Sequence, residues 1–462
     1  MWRARDKRVL AQEEEGMGRG RARGRELTRQ DFLLLSAGAG AGLALAGCGG
    51  SSSELEKAGS GGKSYNGPKV SLAFWNGFTG GDGDYMRQLV EEFSTQQKNI
   101  NVSMNAIEWE VYYQKVPAAV QSGKGPDLGI MHIDQLPTNA ARGVILAMDD
   151  VASALKLKKS DFAPVVWDAG VYNGKRYGIP LDIHPLGFYY NKGTMEKAGL
   201  DPNNPPQTKD DYMAALEQLK SKGVQGHWIS PFEFTGGLTF RSLLYQFGGR
   251  LYNEAATKAT FNSEAGANAL TWMVDVVKQG YSPKDVAQDA EYTAFQNGKN
   301  AFMWNGIWNI LELNEVKGLE YGVAQLPQIG SQKGAWANSH NFVIMNKRGQ
   351  DPNKVAASKV FINWISERSA EWAKAGQVPA REEVRESKEF KSLKWQPVFA
   401  KEIPYVQFTP PVPGIADVYY GSLDPAINEA VLLKKEPEAA LDEAAGKADE
   451  LLKENKQKYQ AA

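Results

Sequence analysis

The sequence predicts an α/β fold that is large enough to form two lobes. Short apolar segments alternate with amphipathic helical patterns along most of the chain, which is the order expected of βαβ units. The 462 residues allow two or three ordinary domains or one large two-lobed body, and 42% of them are hydrophobic. The net charge of −1 gives no basic excess for binding nucleic acid.

The first 47 residues differ from the rest and predict an export signal. Eight arginines lie in residues 1–31, and residues 32–47 form an apolar run without a charge. This run is short for a membrane span and typical of the apolar region of a signal peptide. Residues 28–33 resemble a twin-arginine motif, but Gln30 stands where the second arginine is expected. Both the Sec and the twin-arginine export routes therefore stay open, as does translation from Met1 or Met17.

Cys48 is the only cysteine, so the chain forms no intrachain disulfide. It ends the apolar run in the sequence LAGC, which resembles a bacterial lipobox. The resemblance implies that Cys48 takes a lipid and becomes the N-terminus of the mature protein. The alternative is a small buried cysteine. The Gly/Ser-rich residues 48–67 that begin with Cys48 predict a flexible tether. We expect a lipid-anchored protein that faces outside the cytoplasm.

The body of the chain predicts strands and helices in alternation. A strand at 70–75, a helix at 84–97 and a strand at 101–107 predict a βαβ unit with parallel strands. In this helix an i, i+3, i+4, i+7 pattern places four apolar side chains on one face. Further strands are predicted at 127–132, 187–192, 227–232, 300–306 and 340–345. Further helices are predicted at 210–222, 265–279, 354–375 and 436–456.

Aromatic, acidic and imidazole side chains follow several of these strands. Ligands of open α/β sheets bind at the carboxyl ends of strands. An aromatic face packs against the C–H groups of a sugar, while carboxylates, amides and imidazoles bind its hydroxyls. The chain has 12 tryptophans, which favours a carbohydrate cleft over core packing for the set as a whole. The candidates at these strand ends are Trp75, Asn76, Phe78, Asp82, His132, Asp134, His184, Trp304, Trp308, Trp336 and His340.

Motifs for catalysis or metal binding are weak in this sequence. There is no G-x-S-x-G motif, and acidic residues are too numerous for spacing alone to indicate a glycosidase pair. The four histidines, His132, His184, His227 and His340, lie far apart and lack H-E-x-x-H spacing. We therefore expect a binding protein with no metal and no cofactor. A secreted carbohydrate-active enzyme is the alternative.

Five segments in order resemble the family 1 extracellular solute-binding proteins, the maltose-binding-protein-like receptors of bacterial ABC sugar importers. The segments are 122–137, 174–200, 297–310, 376–384 and 428–452. The resemblance implies a periplasmic-binding-protein type II fold, in which two lobes, each a mixed sheet flanked by helices, meet at a hinge and an interlobe cleft. We expect lobe one at 68–182 plus 338–395, and lobe two at 183–337 plus 396–462.

The resemblance also implies roles for individual residues. Asp134 matches an aspartate that binds sugar hydroxyls, and His184 stands where the family has an acidic residue. Trp308 matches a tryptophan that stacks on the ligand. Phe232 falls in a segment that supplies aromatic platforms, and Tyr420 lies near the C-terminal stacking position.

The function implied is capture of a mono- or oligosaccharide and its delivery to the permease subunits of an ABC importer. We expect the receptor to be a monomer. A receptor for glycerol phosphate or another small anion is a further alternative, and it would need basic groups in the cleft. Arg381 is the basic candidate.

Overall fold

The computed structural model describes residues 63–460. The predicted export signal 1–47, Cys48 and most of the predicted tether 48–67 lie outside the described residues. Within the described range, no helix combines the length and the apolar character that crossing a membrane requires.

The described residues form thirteen strands and nineteen α-helices. The strands are β1 (Val70–Asn76), β2 (Ile100–Ala106), β3 (Leu128–His132), β4 (Val171–Tyr172), β5 (Lys175–Arg176), β6 (Ile179–Pro180), β7 (Asp182–Asn191), β8 (Phe302–Gly306), β9 (Tyr321–Ala324), β10 (Ala335–Asn338), β11 (His340–Ile344), β12 (Val378–Pro379) and β13 (Val406–Gln407). The helices are α1 (Gly81–Gln96), α2 (Trp109–Gln121), α3 (Leu136–Ala141), α4 (Asp149–Ala154), α5 (Pro164–Ala169), α6 (Lys192–Lys197), α7 (Lys209–Ser221), α8 (Glu233–Gln246), α9 (Glu264–Lys278), α10 (Ala290–Gln296), α11 (Ile310–Glu315), α12 (Pro352–Glu367), α13 (Ser369–Ala373), α14 (Glu382–Arg385), α15 (Lys388–Lys391), α16 (Gln396–Ala400), α17 (Ile415–Val418), α18 (Asp424–Val431) and α19 (Pro437–Gln460).

The first sheet has the strand order β2-β1-β3-β11-β6. Strands β1, β2 and β3 are parallel, and β11 runs antiparallel to both β3 and β6. Helix α1 packs beside β2 with its predicted apolar face buried, and Phe93 of that face meets Phe361 of α12 at 5.0 Å between ring centroids. The predicted parallel βαβ unit is confirmed.

The second sheet has the order β12-β7-β10-β13, with β8 and β9 paired to the far half of β7. All ten residues of β7 are buried, because β7 is the shared centre of this sheet. On one side, Phe302 and Trp304 of β8 pack against Tyr212 of α7. The two sheets share the chain around β6 and β7, and one apolar cluster contains residues of both, including Met131 of β3 and Phe188 of β7.

The chain crosses between the sheets three times in the described residues, and two of these crossings lie side by side. One residue, Leu181, separates β6 of the first sheet from β7 of the second, and one residue, Ser339, separates β10 from β11. The Leu181 N–H donates to the His340 carbonyl at 2.8 Å, so the crossings are hydrogen-bonded to each other.

Most of the predicted elements are confirmed. The strand predicted at 187–192 begins earlier, at Asp182, and the helix predicted at 354–375 is two helices that meet at Arg368. The strand predicted at 227–232 is wrong: this segment forms only one isolated bridge, from His227 to Phe302. Pro231 lacks the N–H that a ladder requires, and Phe232 is the N-cap of α8. The two lobe boundaries stay a prediction, and β12, which was expected in lobe one, pairs with β7.

Glu402, which follows α16, is a buried acid in the second half of the chain. Its Oε1 accepts the Leu326 N–H at 2.7 Å, and burial raises its pKa from 4.5 to about 8 against the opposing effects of this bond and of Lys333. The folded state therefore holds a proton that the unfolded chain has released. Stability should fall as the pH rises from about 4.5 to about 8.

The Glu402→Gln variant is expected to be more stable than the wild type by about 2 kcal/mol at pH 8, because glutamine has no charge to bury. The advantage should shrink toward pH 5. Urea unfolding of both proteins across this pH range measures the difference in their free energy of unfolding. Glu91→Gln, at an exposed site on α1, is the control and should show the same pH dependence of stability as the wild type. Parallel pH profiles for wild type and Glu402→Gln would contradict the assignment.

Candidate ligand-binding cleft

Asp182 lies where the two crossings meet, and its carboxylate is fully buried. Its Oδ1 accepts the His340 backbone N–H at 3.0 Å and His184 Nδ1 at 3.2 Å. Its Oδ2 accepts His340 Nδ1 and Trp372 Nε1, both at 2.8 Å. Burial alone would raise the pKa of Asp182, but His340 and His184 hold it well below its usual value. Asp182 is therefore ionised, and each histidine donates its Nδ1–H to it.

The third histidine, His132, joins this pair from the end of β3. Its ring centroid lies 4.9 Å from that of His340 and 5.5 Å from that of His184, and the latter two rings are 4.3 Å apart. The Tyr113 hydroxyl accepts the His132 backbone N–H at 2.9 Å and lies 2.8 Å from His132 Nδ1. We call His132, His184 and His340 the histidine cluster. It brings together β3, β7 and β11 of both sheets.

Burial sets the protonation of His184 and His132. It lowers the pKa of His184 from 6.5 to about 4, with a further lowering from His340 that Asp182 opposes. Burial and the neighbouring His340 and His184 also hold the pKa of His132 well below its usual value. These two rings are neutral at pH 7, so each has one nitrogen lone pair.

Aromatic rings from the first sheet's side surround the cluster. Trp109, at the start of α2, stacks on His340 at 5.5 Å and lies 4.3 Å from His132. Phe78 contacts His340 edge-on at 4.8 Å and Trp372 at 4.7 Å, and it is almost fully buried. Phe78 therefore packs the cluster from within, whereas Trp109 is half-buried and has surface left for a ligand.

Rings from the second sheet's side approach His184. Trp308 lies 6.0 Å from it and is half-buried, and Trp336 lies 6.2 Å from it and is buried. Phe234, in the first turn of α8, contacts Trp308 at 5.3 Å while 47% of it stays exposed. Trp308 and Phe234 thus form an aromatic surface that is accessible beside the histidine cluster.

Asp82, at the start of α1, is the acidic candidate near the cluster. Burial raises its pKa to about 6, an effect that the nearby His340 opposes and Asp182 adds to. The carboxyl group is partly exposed. It is therefore mostly ionised at pH 7 and can accept hydrogen bonds from a ligand hydroxyl.

Asp134 does not face open space as the resemblance implied. It is buried, and its oxygens accept the Tyr419 hydroxyl at 2.8 Å and Asn338 Nδ2 at 3.2 Å. The Thr138 hydroxyl also accepts the Gly414 N–H at 2.8 Å. These bonds connect the segment after β3 to the C-terminal segment, so in this conformation Asp134 joins two parts of the protein.

Two further candidates are corrected because they are buried away from the cluster. Asn76 is 0% exposed, and its Oδ1 accepts the Phe78 N–H at 3.1 Å, so it shapes the turn after β1. Trp304 is 2% exposed and stacks on Trp272 in the core beside α9, because it shares a face of β8 with Phe302.

The remaining candidates keep exposed or partly exposed surface. Phe232 is 39% exposed and Tyr420 is 46% exposed, whereas Trp75 is half-buried on β1. Sequence reasoning missed several site residues: Trp109, Tyr113, Phe234 and Trp372. Trp109 and Phe234 lie in helices, which the strand-end argument did not search.

Two buried arginines, Arg381 and Arg241, have partners within the protein. Arg381 is buried, donates its Nε–H to the Ser366 hydroxyl at 2.6 Å and lies over Phe162, so it belongs to the surroundings of α12. Arg241 of α8 pairs with Asp424 at 3.1 Å. Both guanidinium groups are buried and held by partners within the protein, although Arg241 Nε and Arg381 Nη2 have no hydrogen-bond partner among the described residues.

A family model described as bacterial extracellular solute-binding protein matches residues 88–395. The chain belongs to the bacterial extracellular solute-binding proteins. This solute-binding protein is 25% identical over 382 residues to a binding protein of Brucella abortus, covering 80% of this chain and 90% of that one. It is 24% identical to the sn-glycerol-3-phosphate-binding periplasmic protein of Escherichia coli, over 83% and 93% of the two chains.

Solved structures of similar proteins share the fold of this solute-binding protein. The cyclic α-maltosyl-1,6-maltose binding protein of Arthrobacter globiformis gives a TM-score of 0.72 at 24% identity, covering 84% of this chain and 100% of that one. An ABC transporter solute-binding protein of Thermotoga lettingae, bound with α-D-tagatose, gives 0.71 at 25% identity over 83% and 100%. The predicted family and the two-lobed α/β fold are confirmed.

Proposed function

We propose that this solute-binding protein captures a carbohydrate beside the histidine cluster and delivers it to the permease of an ABC importer. The observation that carries the proposal is the accessible aromatic surface of Trp308 and Phe234 next to neutral imidazoles and the Asp82 carboxylate. A sugar needs apolar ring faces together with hydrogen-bond donors and acceptors, and these side chains supply both. The solved relatives with maltose-type ligands or tagatose support the same ligand class.

The mechanism we propose is binding without chemistry. His132 and His340 belong to the first sheet, whereas His184 and Trp308 belong to the second sheet and the turn after it. A sugar that contacts both sets has a higher affinity for a closed state than for an open one, so it shifts the population toward closure. The permease would then recognise the closed form.

A receptor for glycerol phosphate is the second candidate, and the Escherichia coli relative favours it. A phosphate requires charge-assisted donors. The pairing of Arg241 and Arg381 within the protein argues against this candidate.

A thermal-shift screen tests the function. The purified protein would be heated with monosaccharides, oligosaccharides, polyols and glycerol phosphates, since a ligand that binds only the folded state raises the midpoint by mass action. We expect a shift with one group of sugars and no product after long incubation. A shift confined to glycerol phosphates would replace the sugar by an anion, and loss of the sugar would indicate an enzyme.

We also propose that a lipid on Cys48 holds the receptor, as a monomer, beside its permease. The support is the LAGC sequence after an apolar run and the Gly/Ser-rich segment that follows. Two acyl signals suffice for stable anchoring. In the native host, wild type should partition with membranes, and Cys48→Ser should not; equal partitioning of the two would contradict the anchor.

A further inference from the structure

The histidine cluster contains three of the chain's four histidines, brought together from distant positions in the sequence. One ring nitrogen from each lies within 4.8 Å of the other two. We propose that His132, His184 and His340 bind a divalent transition-metal ion of the Zn²⁺ class through three imidazole nitrogens. This goes beyond sugar capture and does not depend on it. It differs from the expectation, drawn from their separation in the sequence, that the histidines form no metal site.

The geometry needs only a small adjustment to hold an ion. Imidazole nitrogens bind zinc at about 2.0–2.1 Å, which places tetrahedral ligand nitrogens about 3.3 Å apart. The separations here lie within 4.8 Å, so rotation of the rings by roughly an ångström at their nitrogens closes the site. His132 is the half-buried member and leaves an approach to the cluster.

The hydrogen bonds of the cluster leave the correct nitrogens available. His184 and His340 donate Nδ1–H to Asp182, so in the neutral rings Nε2 carries the lone pair. His132 Nδ1 lies 2.8 Å from the Tyr113 hydroxyl, and Nε2 is its ligand atom in the tautomer whose Nδ1–H donates to this hydroxyl. Metal-binding histidines characteristically donate the other ring N–H to a carboxylate, which fixes the ring and raises its basicity. Asp182 does this for two rings at once.

Charge also favours a cation at this position. The carboxylate of Asp182 lies directly behind two of the rings, 3.2 Å from His184 Nδ1 and 2.8 Å from His340 Nδ1. Trp109 and Phe78 cover the cluster on one side and exclude water from it. Three imidazoles suit Zn²⁺, Cu²⁺ and Ni²⁺ better than Mg²⁺ or Ca²⁺. With three protein ligands, a fourth position would remain for water or for a hydroxyl of a ligand.

The test is calorimetric titration of ZnCl₂ into the purified protein, without a histidine tag, after EDTA treatment and dialysis. We expect one ion per chain. His132→Ala should weaken binding at least 100-fold, and it is the most informative variant because His132 does not bond to Asp182 and its loss should leave the fold intact. Co²⁺ should give the visible spectrum of a tetrahedral nitrogen site in wild type and not in His132→Ala.

The matched control is His227→Gln, which removes the fourth histidine, buried beside Tyr212 and not part of the cluster, and should leave zinc binding unchanged. Asp182→Asn, which alters the positioning of two ligands, should weaken binding about 10- to 100-fold. Absence of saturable zinc binding, or equal binding by His132→Ala and wild type, would overturn the metal site. Repeating the sugar screen with and without EDTA shows whether sugar binding requires the metal ion. Failure of the metal site can then be told apart from failure of the proposed function.

Discussion

The Asp182→Ala variant is expected to lose about 3–5 kcal/mol of stability, a large part of the total for a protein of ordinary stability. The mutation leaves the indole N–H of Trp372, the backbone N–H of His340 and the ring N–H groups of both histidines without the acceptor that they have in the wild type. A buried donor without its partner costs about 1–3 kcal/mol, and the relaxation of the rings recovers a part of the sum.

Urea unfolding at pH 7 measures this loss, and two further variants show its cause. Asp182→Asn keeps the shape and one acceptor oxygen, so its loss should be smaller than that of alanine. Asp84→Ala, at an exposed position in the first turn of α1, should change stability by less than about 0.5 kcal/mol. An Asp182→Ala protein as stable as Asp84→Ala would show that the carboxylate does not organise the crossings.

The Trp308→Ala variant is expected to bind the sugar identified in the thermal-shift screen about 10- to 100-fold more weakly, because it removes an apolar face worth about 1.5–3 kcal/mol when buried by a ligand. The half-buried ring contributes less to the core than a buried one, so the fold should survive. Titration calorimetry of the two proteins measures the ratio. Trp395→Ala, which removes another half-buried tryptophan next to Tyr321, is the matched control and should bind normally.

A second variant tests the position of the Trp308 ring while keeping the ring. A Cβ added at Gly306 would lie 2.0 Å from Trp308, although the backbone there, at φ −78°, suits alanine. Gly306→Ala should therefore displace the ring and weaken sugar binding in the same direction. Wild-type affinity in both Trp308→Ala and Gly306→Ala would remove Trp308 from the binding surface.

The sequence predicted the secondary structure well because its signals are local. The apolar spacing of α1 and the short apolar run of β1 identify each element without reference to the rest of the chain. The prediction failed at 227–232, where apolar and aromatic residues form a mostly buried coil before α8. It failed again at Trp304, because a tryptophan near a strand end can face either the cleft or the core.

The site was harder to predict because its key contacts are non-local. His132, His184 and His340 were each selected as ligand-binding candidates, but their spacing gave no indication that the fold brings their rings together. Asp182 carries no sequence signal of its own. It accepts hydrogen bonds from His340 because the antiparallel pairing of β6 and β11 places the two residues next to each other. Asp134 was predicted to bind the ligand, but its carboxylate accepts a hydrogen bond from Tyr419, which lies 285 residues further along the chain. Nothing in the sequence indicated this distant partner.

The two hydrogen-bonded crossings at Leu181 and Ser339 have a mechanical consequence. Because they are joined, we expect any turning of one sheet against the other to have its axis close to them. The histidine cluster would then lie near the axis, since His184 and His340 lie three residues and one residue from the crossings. Atoms near an axis sweep short arcs, while helices at the periphery sweep long ones for the same angle. A ligand bound beside the cluster therefore acts close to the axis. A movement of about an ångström there corresponds to a displacement several times larger in the peripheral helices, where a membrane partner could detect it.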